Sequence, residues 1–363
     1  MNILSVVGAR PNFMKIAPII RALAAADPDG QQLLVHTGQH FDQRMSDVFF
    51  RDLGLPKPDE YLGISGGSHA EQTARIMLAF EPVLLKHQPD WLVVVGDVNS
   101  TVACSLVAAK LGVPIAHVEA GLRSRDNTMP EEINRKVTDA IADRLLTPSP
   151  DADQNLFDEG VPKDRVFCVG NVMIDSLVHA LPQIERADIH QQLGLQPGQY
   201  VLATLHRPSN VDDPEMLGQL VEALGQISQD QRVVFPVHPR TRQRLESKGF
   251  AIPAEVRLID PQGYFDFMSL MQHAGAVITD SGGVQEETTY LGVPCLTVRP
   301  NTERPITISQ GTNRLVQPGR DNLLAAWSEL QNTPPQKQCP SLWDGKAAER
   351  IAACLLGQSV AAA

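Results

Sequence analysis

Short apolar runs rich in valine and leucine recur along the chain, each followed by a helical pattern. This alternation limits what the sequence can fold into. The first series predicts strands at 2–8 (NILSVVG), 32–38, 91–97, 114–121, 144–149 and 165–171, with helices at 71–87, 100–111 and 131–143. A second series predicts strands at 200–206, 232–238, 256–260, 276–280 and 294–299, with helices at 214–228, 264–273 and 283–291. Continuous apolar strands of this length belong to parallel sheets covered on both faces. Their alternation with helices predicts doubly wound α/β sheets. Two series predict two Rossmann-like domains facing each other across a cleft, and 363 residues suffice for two cores. The boundary is expected in the polar interval 179–199, giving domains over 1–178 and 179–340.

The polar signals cluster just after strands: GARPN, TGQHFD, GDVNST, EAGLRS, LHRPSN, VHPR and DSGG. Open α/β sheets bind ligands outside the carboxyl ends of their strands, so seven such placements point to a site in the cleft. The formal net charge of −11 weighs against a general nucleic-acid binder. An anionic ligand would need cations gathered locally. Arg10, Lys15, His206, Arg207, His238, Arg240 and Arg304 supply them. Each alone reads equally well as a solvated surface charge. Their shared position favours a phosphate or diphosphate. The five cysteines are scattered without a CxxC pair, against both a disulfide framework and a zinc site. No stretch is long enough to span a membrane, and the apolar start breaks at Gly8, too early for a signal peptide. A cytoplasmic protein is expected.

TDSGGVQEE, 279–287, ends a strand and opens a helix. Free N–H groups at a helix start bind phosphate oxygens, and Gly282 and Gly283 would let a ligand come close. Ser281 reads as an added donor, as a plain helix cap, or as a nucleophile. The GxSxG elbow is absent, as are GxGxxG and a Walker lysine. Glu287, deeper in the helix, suits a sugar diol. In the first half Asp97 and Glu119 each end an apolar strand, where an ionised carboxylate needs a partner or a task. Glu131 and Glu132 open a helix after Pro130. They read either as acid–base groups or as ordinary first-turn residues pairing i,i+4 with Arg135 and Lys136. Adjacent carboxylates raise one another's pKa, which suits proton transfer. Phosphate binders, a diol binder and a carboxylate cluster together suggest acid–base chemistry on the sugar of a nucleotide sugar.

The ordered set GARPNFMKIAP, TGQHFD, GDVNST, HVEAGLRS, MPEEINRKVTD, TPS, VGNVMIDSL, LHRPSNVD, DPQGYFDFMSLM, TDSGGVQEE, GVPCLTVRPNTERP and GTNRLV resembles the non-hydrolysing UDP-N-acetylglucosamine 2-epimerases over nearly the whole chain. The resemblance implies a GT-B fold, with 341–363 carrying a helix (344–356) that crosses back to the first domain. It implies inversion at C2 of UDP-GlcNAc to UDP-ManNAc without cofactor or metal, by anti elimination of UDP to 2-acetamidoglucal and re-addition. Asp97, Glu119 and Glu131 would be the acid–base carboxylates, assisted by Lys15 and His206. Arg10, His206, Gln262, Phe267, Ser281, Gly282, Gly283, Glu287 and Arg304 would hold UDP. Phe267 would line the uracil pocket, its other reading being helix core. A homodimer through the first domain and a role in surface polysaccharide biosynthesis are also implied. The chain departs from many family members at Ser209, where a glutamate is common, at Ile306, and at Ser68–His69, near which an arginine helps bind an activating second substrate. A hydrolysing epimerase, an epimerase of a related UDP-sugar, a GT-B glycosyltransferase and a silent nucleotide-sugar sensor are the alternatives. Three carboxylates favour the first reading over a transferase with one base.

Overall fold

The computed structural model describes residues 1–38, 54–237, 239–247 and 252–358, without the side chains of residues 10, 239, 240, 246 and 247. The chain divides into two compact units. Unit 1 is Met1–Val178 with the segment from Ser341, and unit 2 is His179–Pro340.

Unit 1 runs β1 (Asn2–Val7), α1 (Arg10–Ala26), β2 (Gln31–His36), β3 (Glu60–Tyr61), α2 (His69–His87), β4 (Trp91–Val95), α3 (Asn99–Leu111), β5 (Ile115–Val118), α4 (Pro130–Ile141), β6 (Arg144–Thr147), α5 (Pro150–Asp158), β7 (Val166–Cys168) and α6 (Val172–Ile184). Its seven strands pair in parallel in the order β3-β2-β1-β4-β5-β6-β7. The order reverses between β1 and β4, the switch point where such sheets bind ligands. Leu4, Val35, Phe80, Leu92, Ile115 and Leu145 fill one face of the core. Asn12, in the first turn of α1, turns back to accept the N–H groups of Gly8 (3.1 Å) and Ala9 (2.9 Å), capping the helix where Pro11 has no N–H to offer.

Unit 2 runs β8 (Tyr200–Thr204), α7 (Pro214–Asp230), β9 (Arg232–Pro236), α8 (Pro239–Ser247), β10 (Val256–Ile259), α9 (Tyr264–Gln272), β11 (Ala276–Thr279), α10 (Gly282–Leu291), β12 (Cys295–Val298), β13 (Asn313–Val316) and α11 (Arg320–Asn332), with one-turn helices at Ile189–Gln192, Pro208–Val211 and Ile306–Ser309. The six strands are parallel in the order β10-β9-β8-β11-β12-β13. A core around Val201, Leu224, Phe235, Ile278, Leu296 and Trp327 lies under α7 and α11. A last helix, α12 (Ala347–Leu355), belongs to unit 1 and packs on α1. Asp175 of α6 caps it, accepting the N–H groups of Ala347 (3.1 Å) and Ala348 (2.7 Å).

The interval 179–199 is more than a linker. The unit boundary falls inside α6, and Ser269 Oγ donates to the Ala187 carbonyl at 2.7 Å. Two strands escape the apolar pattern: β3 has two residues, and β13 reads NRLV, half polar. The predicted strands also overrun the observed ones at their carboxyl ends. The backbone has already turned there, with φ of +66° at Gly96, +69° at Glu119 and +88° at Gly170. Among the described residues no helix is long and apolar enough to cross a membrane.

Candidate functional site

The candidate residues fall into two groups, one in each unit, and several, among them Asp97, Glu119, His206 and Ser281, lie where a strand has just ended. In unit 1, Gly96 follows β4 in the left-handed region, and a Cβ there would meet Lys15 Nζ at 3.0 Å and Glu119 Oε2 at 3.7 Å. Glycine is therefore required both for its φ and for the close approach of two charged groups. Glu119 ends β5 with a left-handed backbone, costly for a residue with a Cβ and typical of functional sites. Its carboxylate is paired with Lys15, both nearly buried. Asp97 is paired with Arg135 of α4, and Asn134 Nδ2 donates to the Asp97 carbonyl at 2.9 Å. Asp97 and Glu119 therefore each face a cation, where mutual contact between carboxylates was expected. Glu131, in the first turn of α4, is half-buried and has no side-chain partner among the described residues. The expected pairing of Glu132 with Lys136 is present at 3.7 Å. Arg135 pairs with Glu132 (2.8 Å) and Asp97, and its expected pairing with Glu131 is not formed.

Under these carboxylates lies a buried polar network. Glu132 accepts the N–H groups of Ser124 (2.9 Å) and Arg125 (3.0 Å). Burial opposes its ionisation, but those donors and Arg135 outweigh burial and lower its pKa. Asp139 accepts from His117 Nδ1 (2.6 Å), Arg123 Nη1 (2.7 Å) and Gly121 N (3.1 Å). It too is held below the usual carboxylate range, with His117 and Arg123 overcoming burial. His117 Nε2 donates to the Gly96 carbonyl at 2.8 Å. The network thus grips the backbone one residue before Asp97 and two residues after Glu119.

In unit 2, Asp280 follows β11 and is fully buried. It accepts from His206 N (3.0 Å), Arg207 N (2.9 Å) and Asn210 Nδ2 (3.1 Å), and His206 Nδ1 lies 2.8 Å from its Oδ1. Burial works against its charge, but His206 and the N–H groups prevail and lower its pKa. Arg207 Nε donates to the Asp280 carbonyl at 3.0 Å. Burial, then the nearby Arg299, lower the Arg207 pKa. Ser281 is the N-cap of α10, yet its side chain makes no capping bond. The plain-cap reading therefore fails for the hydroxyl. A Cβ at Gly282 would sit 2.9 Å from Arg304 Nη1 and 2.9 Å from Glu303 Oε1, whereas Gly283 is open. Arg304 is nearly buried, its Nε 2.8 Å from Glu286 and its Nη1 on Glu303, which in turn holds Arg299 at 2.7 Å. Glu287 is buried in α10. Gln262 Nε2 donates to the Asp260 carbonyl at 2.6 Å. Phe267 is half-buried on α9, while Met268, Leu270 and Met271 beside it fill the core. The side chains of Arg10 and Arg240, and all of Gln39–Asp42 and His238, lie outside the described residues.

Sequence reasoning named Arg135 only as a partner for Glu131, not for Asp97, and did not single out His117, Asp139 or Asp280. A signal was present in α4, where buried positions 132, 135, 138 and 139 are polar while Ile133 faces out. That inverts the ordinary helix pattern.

Two doubly wound parallel units in one chain, with a C-terminal helix that returns to the first, put the protein in the GT-B class of α/β folds. The sequence profile of the UDP-N-acetylglucosamine 2-epimerase family matches residues 22–356, and the chain belongs to that family. It is 40% identical over 360 residues to the UDP-N-acetylglucosamine 2-epimerase of Methanocaldococcus jannaschii, covering 97% of this chain and 98% of that one. The crystal structure of the same archaeal enzyme in complex with UDP-GlcNAc and UDP matches with a TM-score of 0.89, over 98% of this chain and 100% of that one. The chain is also 44% identical over 355 residues to the UDP-2,3-diacetamido-2,3-dideoxy-D-glucuronate 2-epimerase of Pseudomonas aeruginosa, covering 97% of this chain and 98% of that one.

Proposed function

We propose that the protein is a non-hydrolysing epimerase that inverts C2 of a UDP-2-acetamido sugar, interconverting UDP-GlcNAc and UDP-ManNAc. The observation that carries this reading is the pair of strand-end carboxylates, each beside its own cation: Asp97 with Arg135 and Glu119 with Lys15. One carboxylate takes the C2 proton as the C1–O bond to UDP breaks, leaving the C1=C2 double bond of 2-acetamidoglucal. UDP oxygen then re-adds at C1 while a proton reaches C2 from the other face. Glu131 is the third candidate acid–base group, and Lys15 can stabilise the charge that moves through Glu119. Unit 1 supplies this proton transfer and unit 2 the nucleotide grip. There Ser281, Gly282, Gly283 and Arg304 take the diphosphate, Glu287 the ribose, and Gln262 and Phe267 the uracil, with His206 at the leaving group; Arg10, which belongs to unit 1, is the remaining UDP ligand that the family resemblance implies. An elimination needs such a grip, because the released UDP must stay bound for re-addition.

The test is incubation with UDP-GlcNAc in D2O, followed by proton NMR. Deuterium entering C2 as UDP-ManNAc appears is the expected result. Free UDP accumulating with ManNAc would reveal a hydrolysing enzyme, and no exchange would remove the epimerase reading. A second substrate is favoured by the 44% identity to the diacetamidoglucuronate enzyme. That sugar keeps the 2-acetamido group and the C1 diphosphate, so the same carboxylates would act on it. The ratio of kcat/KM for the two UDP-sugars decides between them.

The exposed apolar stripe Leu78 and Leu85 on α2, with Ile133 on α4, supports a homodimer through unit 1. Leu78→Glu is expected to yield monomers in size-exclusion chromatography with light scattering. This reading also places the protein in the cytoplasm, making precursors of surface polysaccharides.

A further inference from the structure

We propose that Asp280 is a positioning residue for His206, fixing the ring so that Nε2 is the nitrogen presented to the leaving diphosphate. The inference rests on the epimerase reading for the role of Nε2, but the positioning itself rests on geometry within unit 2.

An ionised carboxylate only accepts hydrogen bonds. Asp280 Oδ1 lies 2.8 Å from His206 Nδ1, so the proton of that contact sits on Nδ1. The same carboxylate also takes the backbone N–H of His206, at 3.0 Å from Oδ2 and 3.1 Å from Oδ1, and that of Arg207 at 2.9 Å. The imidazole is thus held at two points, its peptide and its Nδ1, which leaves little rotamer freedom. Its side chain is nonetheless 54% exposed, and no described residue meets Nε2. Asn210 makes the arrangement rigid from beneath, its Nδ2 donating to Asp280 Oδ2 (3.1 Å) and to the Val298 carbonyl (3.0 Å). The loop after β8 is thereby tied to the ends of β11 and β12. Asp280 immediately precedes Ser281, the N-cap of α10. One residue therefore sets the ring in register with the glycine-opened helix start that would hold the diphosphate. Arg207, pinned through both its N–H and its Nε to Asp280, is carried in the same register.

Asp280→Asn keeps the shape and can still accept one N–H, but its amide NH2 can also donate to Nδ1 and so reverse the tautomer. The expected result is a kcat lower by about a hundredfold with KM changed by less than about threefold. In a His206→Asn background the same substitution should cost less than about twofold, because the group it positions has gone. A purely structural role would cost the same in both backgrounds, and that outcome overturns the proposal, as would an unchanged kcat. An independent readout is a long-range 1H–15N spectrum of the histidine-labelled wild-type protein with and without UDP. His206 should be protonated at Nδ1, with its Nε2 resonance shifting on UDP addition. A ring protonated at Nε2 alone overturns the proposal, and this spectrum decides even if the Asp280 variant does not fold. Failure of the epimerase reading would show separately, as a wild-type protein that exchanges no C2 hydrogen with solvent.

Discussion

Each unit contains a histidine whose Nδ1 meets a buried aspartate, and the two histidines have opposite fates. In unit 1 the His117 side chain is wholly buried and both ring nitrogens are occupied, Nδ1 by Asp139 (2.6 Å) and Nε2 by the Gly96 carbonyl (2.8 Å). In unit 2 His206 has an Asp contact on Nδ1, but its side chain is half-exposed and no described residue meets Nε2. What separates scaffold from reagent is the second nitrogen. A ring with both nitrogens satisfied by the protein can only hold backbone in place. A ring with one left over has a hydrogen bond to offer a ligand.

The contrast can be broken by substitution. The largest effects belong to reacting groups. Asp97→Asn should cut turnover at least a hundredfold while UDP affinity, measured by calorimetry, stays within about tenfold. Equal loss of both would remove Asp97 from proton transfer. His206→Asn should lower kcat by roughly a hundredfold and leave the melting temperature nearly unchanged. Asp139→Ala should do the reverse in character. It strands His117 and Arg123 in the interior, and breaking a buried ion pair from one side costs about 3–5 kcal/mol. Thermal unfolding measures that loss. If Asp139→Ala left stability untouched, the unit 1 network would not be the scaffold described.

How readable these features are from sequence follows from the same physics. The sheets were readable because parallel strands need continuous apolar runs, as in WLVVV and CLTV, where the only polar residue is one threonine. Asp97 and Glu119 stood out because each is a charge where such a run stops. Lys15 stood out as a cation and Arg135 as a neighbour of Glu131, but which carboxylate each would pair with did not. Lys15 reaches Glu119 from the second turn of α1, and Arg135 reaches Asp97 from α4, 38 residues away. No local pattern encodes a contact at that separation. Asp280 was hidden differently. In TDSGG the serine and glycines draw the eye, while the aspartate only shows its purpose when β8 brings His206 beside it. The inverted polarity of α4 was present in PEEINRKVTDAI but needs the helix's inward face to be known before it can be read.

A smaller effect sharpens the glycine cradle of unit 2. Gly282→Ala would bring a methyl to 2.9 Å from Arg304 Nη1, near the tip of a side chain already held by Glu286 and Glu303. The arginine must give way, and UDP affinity should fall by about tenfold, or roughly 1.4 kcal/mol. Gly283→Ala, with open space around it, should cost less if its role is only steric. Equal losses at the two positions would instead assign both glycines to close ligand approach.

The smallest effect tests whether a histidine partner is what keeps these buried aspartates ionised. Asp139 and Asp280, each with a histidine, have lowered pKa values. Their contribution to stability is present above the unfolded carboxylate pKa of about 3.9 and is lost as pH falls through the depressed folded values. Asp175 has two backbone donors from α12 but no histidine, and burial pushes its pKa up to about 6 against those donors. Its sign is therefore opposite. Between about pH 4 and 6 the folded state holds a proton there that the unfolded chain has released, so this group's contribution falls as pH rises through that window. Asp175→Asn should remove the trend. The wild-type minus variant difference in melting temperature should shift by roughly 2–4 °C between pH 5 and pH 7, in the direction of relative wild-type weakening at pH 7. A shift of the opposite sign would mean that the N-terminus of α12 stabilises the Asp175 charge more than burial opposes it, so that backbone donors alone can do what His117 and His206 do for their partners.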